Sequence, residues 1–199
     1  MSAFEIPLFP LGTVLFPGGP LPLRIFETRY TDMIGQCMRD ESLFGVVGIS
    51  EGRDVGPSEI HKVGTTARIT DFYQGSDGLL GITAIGETRF QILEERTQAD
   101  GLRIALVESL PAAETEPLPD RFGELVDILE SVLDDLGKLY ADLPRRMDDA
   151  TWVGYRFCEI LPIGVARKQY CLEHASSIER LEFIEAVLSQ ARRSKSSDD

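Results

Sequence analysis

The feature that most limits the fold of this chain is an uncharged stretch near its start that prolines interrupt. No charged residue occurs from Ile6 to Leu23, yet these 18 positions contain five prolines and three glycines. A membrane-spanning helix needs about 20 apolar residues, and each interior proline removes a backbone donor and clashes with the preceding turn. The basic start of a signal peptide is also missing, because the first Lys or Arg is Arg24. The stretch therefore predicts extended pieces whose apolar side chains lie in a protein core.

The first half of the chain predicts a mainly antiparallel sheet with one helix. Apolar residues at i, i+3, i+4, i+7 and i+8 from Tyr30 indicate a helix over 27–40. A polar, Gly-rich loop is expected at 51–57. Alternating apolar runs bounded by turn residues predict strands at 3–9, 13–15, 20–26, 43–49, 63–73, 79–93 and 102–110.

A proline-rich acidic segment at 111–119 marks a boundary, after which the apolar period becomes 3.6. We expect a first unit at 1–112, a linker at 113–117 and a helical second unit at 118–199. A stripe from Phe122 to Tyr140 predicts one long helix with Asp120 as its N-cap. Further helices are expected at 150–161, from Pro162 to 173, and after a capping box of Ser176 and Glu179.

Several blocks of this sequence resemble one family. The opening contains Leu8-Phe9-Pro10-Leu11, Leu15-Phe16-Pro17-Gly18 and the run from Leu21 to Tyr30. Later blocks follow in the same order at 64–69, 86–92, 161–163 and 168–173. Together they resemble the N-terminal domain of Lon proteases over nearly the whole chain. Thr28 is a departure, because proline is the commoner residue there.

The resemblance implies an α+β fold, in which a PUA-like antiparallel β pseudo-barrel with one helix precedes a C-terminal helical bundle. It also implies a domain that contacts polypeptide substrates or partner proteins, as in protein quality control. A full Lon protease adds an ATPase and a serine–lysine protease domain, and the G-x-x-x-x-G-K-[ST] loop is missing here. We therefore expect a free-standing, non-catalytic module with no catalytic residue, cofactor or metal.

Composition argues against several classes of partner. The net charge is −13, and both halves are acidic, with 9 basic and 15 acidic residues in 1–112 and 11 and 18 in the rest. Nucleic acids and anionic membrane surfaces would be repelled. Three cysteines without a close-spaced pair fit a reducing cytoplasm better than a disulfide framework. The oligomeric state is left open.

The first half has more large aromatic residues and prolines than a small barrel needs for its core. Some of these rings are expected to line a groove for apolar polypeptide, although core packing is the default for each ring taken singly. The candidates for the peptide-binding groove are Phe16, Phe26, Tyr30, Phe72, Tyr73 and Phe90.

Four arginines lie in or beside apolar blocks, namely Arg24, Arg29, Arg68 and Arg89. A structural ion pair is the first interpretation, with Glu27 and Glu87 as candidate partners, and an anion or peptide-carboxylate site is the second. Cys171 and His174 lie three residues apart, but a metal site needs about four ligands. Packing and helix capping are the better interpretation for that pair.

A binding module for polypeptides is thus the leading hypothesis. The main alternative is a small-ligand or effector-sensing domain, since the mouths of β-barrels hold small molecules. A hydrolase is disfavoured because the sequence contains no motif that pairs a nucleophile with a catalytic base. Nucleic-acid binding through the barrel is disfavoured by the acidic balance of both halves.

The charge generates a testable expectation. Duplex and single-stranded nucleic acids should bind no tighter than background near physiological salt, because phosphates are repelled by a chain of net charge −13. Fluorescence anisotropy with labelled oligonucleotides measures this. A sub-micromolar complex that weakens with added salt would contradict the expectation and reveal a local basic patch.

Overall fold

The structure is a computed structural model that describes residues 3–52, 58–75, 77–141, 143–174 and 176–195. The chain divides into two compact units, the first formed by Met1–Ala112 with Gly164–Gln169 and the second by Ala113–Ile163 with Tyr170–Asp199. The sequence predicts two consecutive segments, so the grouping of 164–169 with the first unit is a departure. Its physical reason is Gln169, which is 2% exposed and donates from Nε2 to the carbonyl of Val63 at 2.8 Å.

The described part of the first unit is built on one sheet of six strands. The strands are β1 Phe4–Leu11, β2 Pro20–Ile25, β3 Phe44–Gly52, β4 Ser58–Gln74, β5 Leu80–Thr97 and β6 Arg103–Ser109. Their order is β2-β5-β4-β3-β1-β6, and β6 also pairs with β5, so the sheet closes on itself. β1 and β3 are parallel, and the other pairings are antiparallel. Together with the helices, this sheet confirms the predicted α+β class.

Two predicted elements of the first unit differ from the structure. No strand forms at 13–15, where the chain instead turns as a corner with Leu15 and Phe16 buried. Pro17, which follows directly, cannot donate to a ladder and so does not favour a strand that continues through this segment. Around the predicted loop at 51–57, β3 extends to Gly52 and β4 begins at Ser58, and residues 53–57 lie outside the described residues.

This corner is joined to the sheet by backbone hydrogen bonds at Gly86 of β5. The N–H of Gly18 donates to the Gly86 carbonyl at 2.7 Å, and the Gly86 N–H donates to the Gly19 carbonyl at 2.9 Å. The hydroxyl of Thr65 adds a 2.6 Å bond to the carbonyl of Leu15. A Cβ atom at Gly86 would lie 2.3 Å from the carbonyl oxygen of Phe16, so only glycine allows this approach.

The predicted helix over 27–40 is confirmed as α1, Thr28–Asp40. Its buried face consists of Tyr30, Met33, Ile34 and Cys37, at the spacing of one helical stripe. The ring of Tyr30 stacks on that of Phe9 with centroids 4.0 Å apart. This stack belongs to a core cluster that includes Phe44, Val46, Ile82 and Ala84 from the sheet, so α1 covers the sheet with the side chains that the apolar period predicts.

The remaining helices are α2 Gly123–Asp135, α3 Lys138–Ala141, α4 Ala150–Ile160, α5 Val165–Glu173 and α6 Ser177–Lys195. The single helix predicted across 122–140 is interrupted at Gly137, whose φ of +57° is left-handed. Asp120 is not an N-cap, because it opens a one-turn 3₁₀ helix, Asp120–Phe122, that follows Pro119. No helix in the described ranges is long and apolar enough to span a membrane.

The predicted capping box at the start of α6 is confirmed by two reciprocal hydrogen bonds. The N–H of Glu179 donates to the Ser176 hydroxyl at 3.2 Å, and the Ser176 N–H donates to the Glu179 carboxylate at 2.9 Å. The bond from the Ser176 backbone holds the pKa of Glu179 below its ordinary value. The box satisfies donors that the first turn of the helix would otherwise leave unpaired.

The close approach at Gly86 generates a prediction. Gly86→Ala should lower the free energy of unfolding by about 1–3 kcal/mol, because the added methyl meets backbone atoms that must move. Gly123→Ala is the matched control, since a Cβ there meets nothing within 4 Å. Urea unfolding of both variants measures the difference. Equal stability of the two variants would show that the corner is not tightly joined to β5.

Candidate functional site

Burial separates the six candidate aromatic residues of the groove into two groups. Phe16 and Phe90 are 0% exposed, and Tyr30 is 6% exposed. Phe90 lies in a core cluster with Leu8 and Val107, and Tyr30 stacks on Phe9. These three rings are core residues and cannot line an open groove, so we withdraw them from the predicted set. The apolar stripe of α1 already predicts a buried Tyr30, whereas no local pattern separates Phe16 and Phe90 from the exposed rings.

The other three candidate rings face solvent at one end of the sheet. Phe26 is 62% exposed, Phe72 is 61% exposed and Tyr73 is 48% exposed. Phe26 directly follows β2, while Phe72 and Tyr73 are the third-last and second-last residues of β4. Since β2 and β4 both pair with β5, the two strand ends lie about 10 Å apart. We call Phe26, Phe72 and Tyr73 the hairpin-end surface.

The last residues of β4 are exposed, although their partners on β5, Gly81 and Ile82, are buried. A strand with one covered face alternates between buried and exposed residues, but residues 70–74 of β4 are all exposed. Phe72 pairs with Ile82 and Tyr73 with Gly81, so the two aromatic side chains point to opposite faces of the hairpin. This part of the hairpin therefore presents apolar surface on both sides.

Tyr73 is positioned by the glycine opposite it. An ideal Cβ on Gly81 would lie 2.3 Å from the Cζ atom of Tyr73, which means that the ring lies directly over the Gly81 backbone. Gly81 also pairs with Arg24 of β2, and Arg24 forms an ion pair with Asp77 at the hairpin turn. Arg24, Gly81 and Tyr73 are thus paired across three neighbouring strands, and this pairing fixes the position of the Tyr73 ring.

Among the described strands β2 pairs with β5 alone, and its other, free edge lies beside this surface and is short of hydrogen-bond donors. Both backbone polar groups of Gly86 bond to the corner that precedes β2. Hydrogen-bonded and non-hydrogen-bonded pairs alternate along an antiparallel ladder, so the residues of β2 that bond to β5 are Leu21, Leu23 and Ile25. Pro20, Pro22 and Arg24 then turn their backbone groups outward. Of these three residues, Arg24 alone has an N–H, because proline lacks one. The edge offers carbonyl acceptors and a single donor.

The four arginines bond to groups of the protein itself. Arg29 pairs with Glu27 at 2.7 Å and Arg68 with Glu87 at 2.6 Å, while Arg24 pairs with Asp77. Arg29 also donates to the Gly101 carbonyl at 2.8 Å, and Arg89 donates to the Pro111 carbonyl at 3.0 Å. These partners favour the structural interpretation of the arginines over an anion site.

A cleft of about 550 Å³ between α1 and the β5–β6 turn was not expected from the sequence. Arg29, Arg39, Asp32 and Asp100 bring both signs of charge to it, and Leu102 contributes apolar surface. Within the described residues, the buried Nε of Arg29 has no hydrogen-bond partner. The residues of this cleft come from sequence-distant elements, which is why no local pattern indicated it.

The second unit contains its own cleft of about 690 Å³ between α2 and α6. Two exposed ion pairs lie along it, Arg121–Glu182 and Arg192–Glu124, both at 2.7 Å. His174 pairs with the neighbouring Glu173 at 3.1 Å. In the described ranges, no group of three or more His, Cys, Asp or Glu side chains is placed to hold a metal ion.

Comparison with known proteins identifies relatives across most of the chain. The family model of the ATP-dependent protease La (LON) substrate-binding domain matches residues 5–190. A crystal structure of a Lon N-terminal domain protein from Xanthomonas campestris is 33% identical, with a TM-score of 0.74, and the match covers 92% of this chain and 98% of that one.

Two curated relatives are much longer than this chain. A Lon protease from Anaeromyxobacter dehalogenans is 26% identical over 195 residues, which are 94% of this chain and 23% of the relative. Protein cereblon from Xenopus tropicalis is 36% identical over 114 residues, which are 55% of this chain and 25% of the relative. The chain therefore spans about a quarter of the length of these relatives.

The two groups of aromatic residues generate a prediction about stability. Phe90→Ala should lower the free energy of unfolding by about 3–5 kcal/mol, because it leaves a cavity in the core. Phe72→Ala should change it by less than about 0.5 kcal/mol, because the ring is exposed. Thermal and urea unfolding measure both variants. A large loss for Phe72→Ala would mean that this ring is a core residue.

Proposed function

Because the chain belongs to the Lon substrate-binding domain family, we propose that it is a non-catalytic module that binds exposed apolar or unfolded segments of other polypeptides. The observation that carries the proposal is the hairpin-end surface, where three large aromatic rings are 48–62% exposed. Exposing these rings to water is unfavourable, so a ligand that covers them is stabilised. Rings that are exposed at the ends of β2 and β4 are reachable by a segment of extended chain.

The size of the surface indicates weak binding. Complete burial of a Phe side chain contributes about 1.5–3 kcal/mol, and each of these rings is already partly covered. Against that gain stand the loss of translational freedom and the ordering of an unfolded segment. We therefore expect dissociation constants in the micromolar range or weaker, which suits a module that samples many polypeptides and releases them.

Side chains, rather than added strands, account for the proposed binding. An extended peptide that joins a sheet edge bonds its backbone N–H groups to the carbonyls of the edge strand and its own carbonyls to the N–H groups of that strand. The free edge of β2 supplies one N–H among Pro20, Pro22 and Arg24, so such a ladder would leave most peptide carbonyls unpaired. Apolar contact with Phe26, Phe72 and Tyr73 needs no backbone register and so tolerates many sequences.

We place this binding in protein quality control in the cytoplasm, with polypeptide substrates or partner proteins as ligands and with neither nucleic acid nor membrane as a partner. The net charge of −13 adds a preference among apolar segments. Segments that also carry Lys or Arg are attracted at long range, whereas acidic segments are repelled. The preference should decrease as salt is added, because exposed charges are screened.

A second candidate function is small-ligand or effector sensing, and the cleft beside α1 favours it. Its volume of about 550 Å³ falls within the range of small-molecule sites. The buried Nε of Arg29 is a donor that an acceptor of a ligand would satisfy. The two functions use different residues, so variants of the hairpin-end surface distinguish them.

A capture experiment tests the leading proposal. The triple variant Phe26→Ala, Phe72→Ala, Tyr73→Ala should weaken the binding of a fluorescently labelled, permanently unfolded protein by roughly ten-fold or more, since about 1.4 kcal/mol of lost contact has that effect. The melting temperature should stay close to that of the natural sequence, because these rings are exposed.

The matched control is Tyr170→Ala, which removes an aromatic ring that is 57% exposed on α5. This variant should bind the unfolded protein as the natural sequence does. Unchanged binding by a folded triple variant would contradict the role of the hairpin-end surface and favour the cleft beside α1. Equal weakening by Tyr170→Ala would mean that capture is unspecific adsorption to exposed rings.

A further inference from the structure

Two of the three cysteine thiols are in direct contact in the second unit. Cys158 lies on α4 and Cys171 on α5, and their side chains are hydrogen-bonded to each other. Both are free thiols, 0% and 1% exposed. A disulfide would bring the two sulfur atoms from this hydrogen bond to a bond length of about 2.05 Å. Nothing in the proposed binding function requires this contact.

A buried arginine lies beside the thiol pair. Arg180 of α6 is 3% exposed, and its Nε donates to the carbonyl of Cys171 at 3.3 Å. Its guanidinium also lies 4.3 Å from the centroid of the Tyr155 ring. Because arginine stays protonated, it places a permanent positive charge in a region of low dielectric, where a thiolate is stabilised.

The two thiols are not equivalent. The hydrogen bond from Cys158 and the charge of Arg180 hold the pKa of Cys171 below its ordinary value. The same hydrogen bond and burial raise the pKa of Cys158. Cys171 is therefore the thiol that ionises more readily, and Cys158 is the one that holds its proton more tightly. One nucleophilic sulfur beside one protonated thiol is the arrangement of a reactive cysteine with its resolving partner.

The third thiol provides a contrast within the same chain. Cys37 on α1 is also buried, and its sulfur contacts the carbonyl of Leu43 at 3.9 Å. Burial raises its pKa, and the nearby charge of Asp40 acts in the same direction. Cys37 is thus a core thiol that stays protonated, and reactivity that depends on burial alone would affect all three cysteines.

We propose that Cys158 and Cys171 are a modification site at which hydrogen peroxide forms a reversible intramolecular disulfide. The Cys171 thiolate attacks one peroxide oxygen, the O–O bond breaks, and the released hydroxide takes a proton to become water. The Cys158 sulfur then attacks the sulfenic sulfur of Cys171, the S–S bond forms and the second oxygen leaves as water. Two thiols are oxidised and one peroxide is reduced to two waters.

Reduction reverses the modification. A dithiol reductant attacks one sulfur of the disulfide, forms a mixed disulfide and then releases both cysteines as thiols. Burial selects for small oxidants, because peroxide is close to water in size and needs little opening of the helices. Bulky thiol reagents need a larger opening, so they should react with the folded protein slowly.

The test treats the full chain with hydrogen peroxide. The mass of the intact protein is then measured, and its free thiols are counted after unfolding. The expected result is a mass loss of about 2 Da with two of the three thiols consumed, both restored by a dithiol reductant. Peptide mapping should show the 158–171 cross-link. Cys37→Ser is the matched control and should lose both remaining thiols in the same way.

Cys158→Ser and Cys171→Ser should each abolish the loss of 2 Da. Mapping of the natural sequence tests the proposal even where a serine variant fails to fold, because it needs no substitution. Three intact thiols after peroxide treatment, a cross-link that includes Cys37, or equal oxidation of all three cysteines to sulfonic acid would each overturn the proposal.

Discussion

The first unit depends on the contact between the corner at residues 15–19 and Gly86. Strand β5 pairs with β2 along its first part and with β6 along its last part, and Gly86 lies where these partners change. The corner bonds to both polar groups of Gly86 and leaves no room for a side chain. The start of β2 beside β5 and the close approach of the Phe16 carbonyl to β5 both follow from this backbone contact.

The same contact determines what the candidate site can do. It fixes which backbone groups of β2 bond to β5 and therefore which face outward. It also sets β2 beside the first residues of β5, where Arg24, Gly81 and Tyr73 are paired across three strands. An exposed aromatic ring in a defined place is useful for binding because little side-chain freedom is lost when a ligand covers it.

Sequence patterns predicted elements whose signals are local. The stripe from Tyr30, the capping box at Ser176 and the family blocks near the start all depend on residues a few positions apart. The return of 164–169 to the first unit depends on Gln169 bonding to Val63, which lies 106 positions away. Exposure of Phe72 against burial of Phe90 depends on where the core ends along β4 and β5, and no local spacing contains that information.

The proline-lined edge of β2 has a consequence for the protein itself. If the exposed rings bind unfolded chains as proposed, those chains come close to this edge, and an open strand edge would be a template on which they stack. With Pro20 and Pro22 in the outermost strand, an incoming strand finds too few donors to continue the sheet. The edge can thus stay next to aggregation-prone polypeptide without becoming the seed of a fibril.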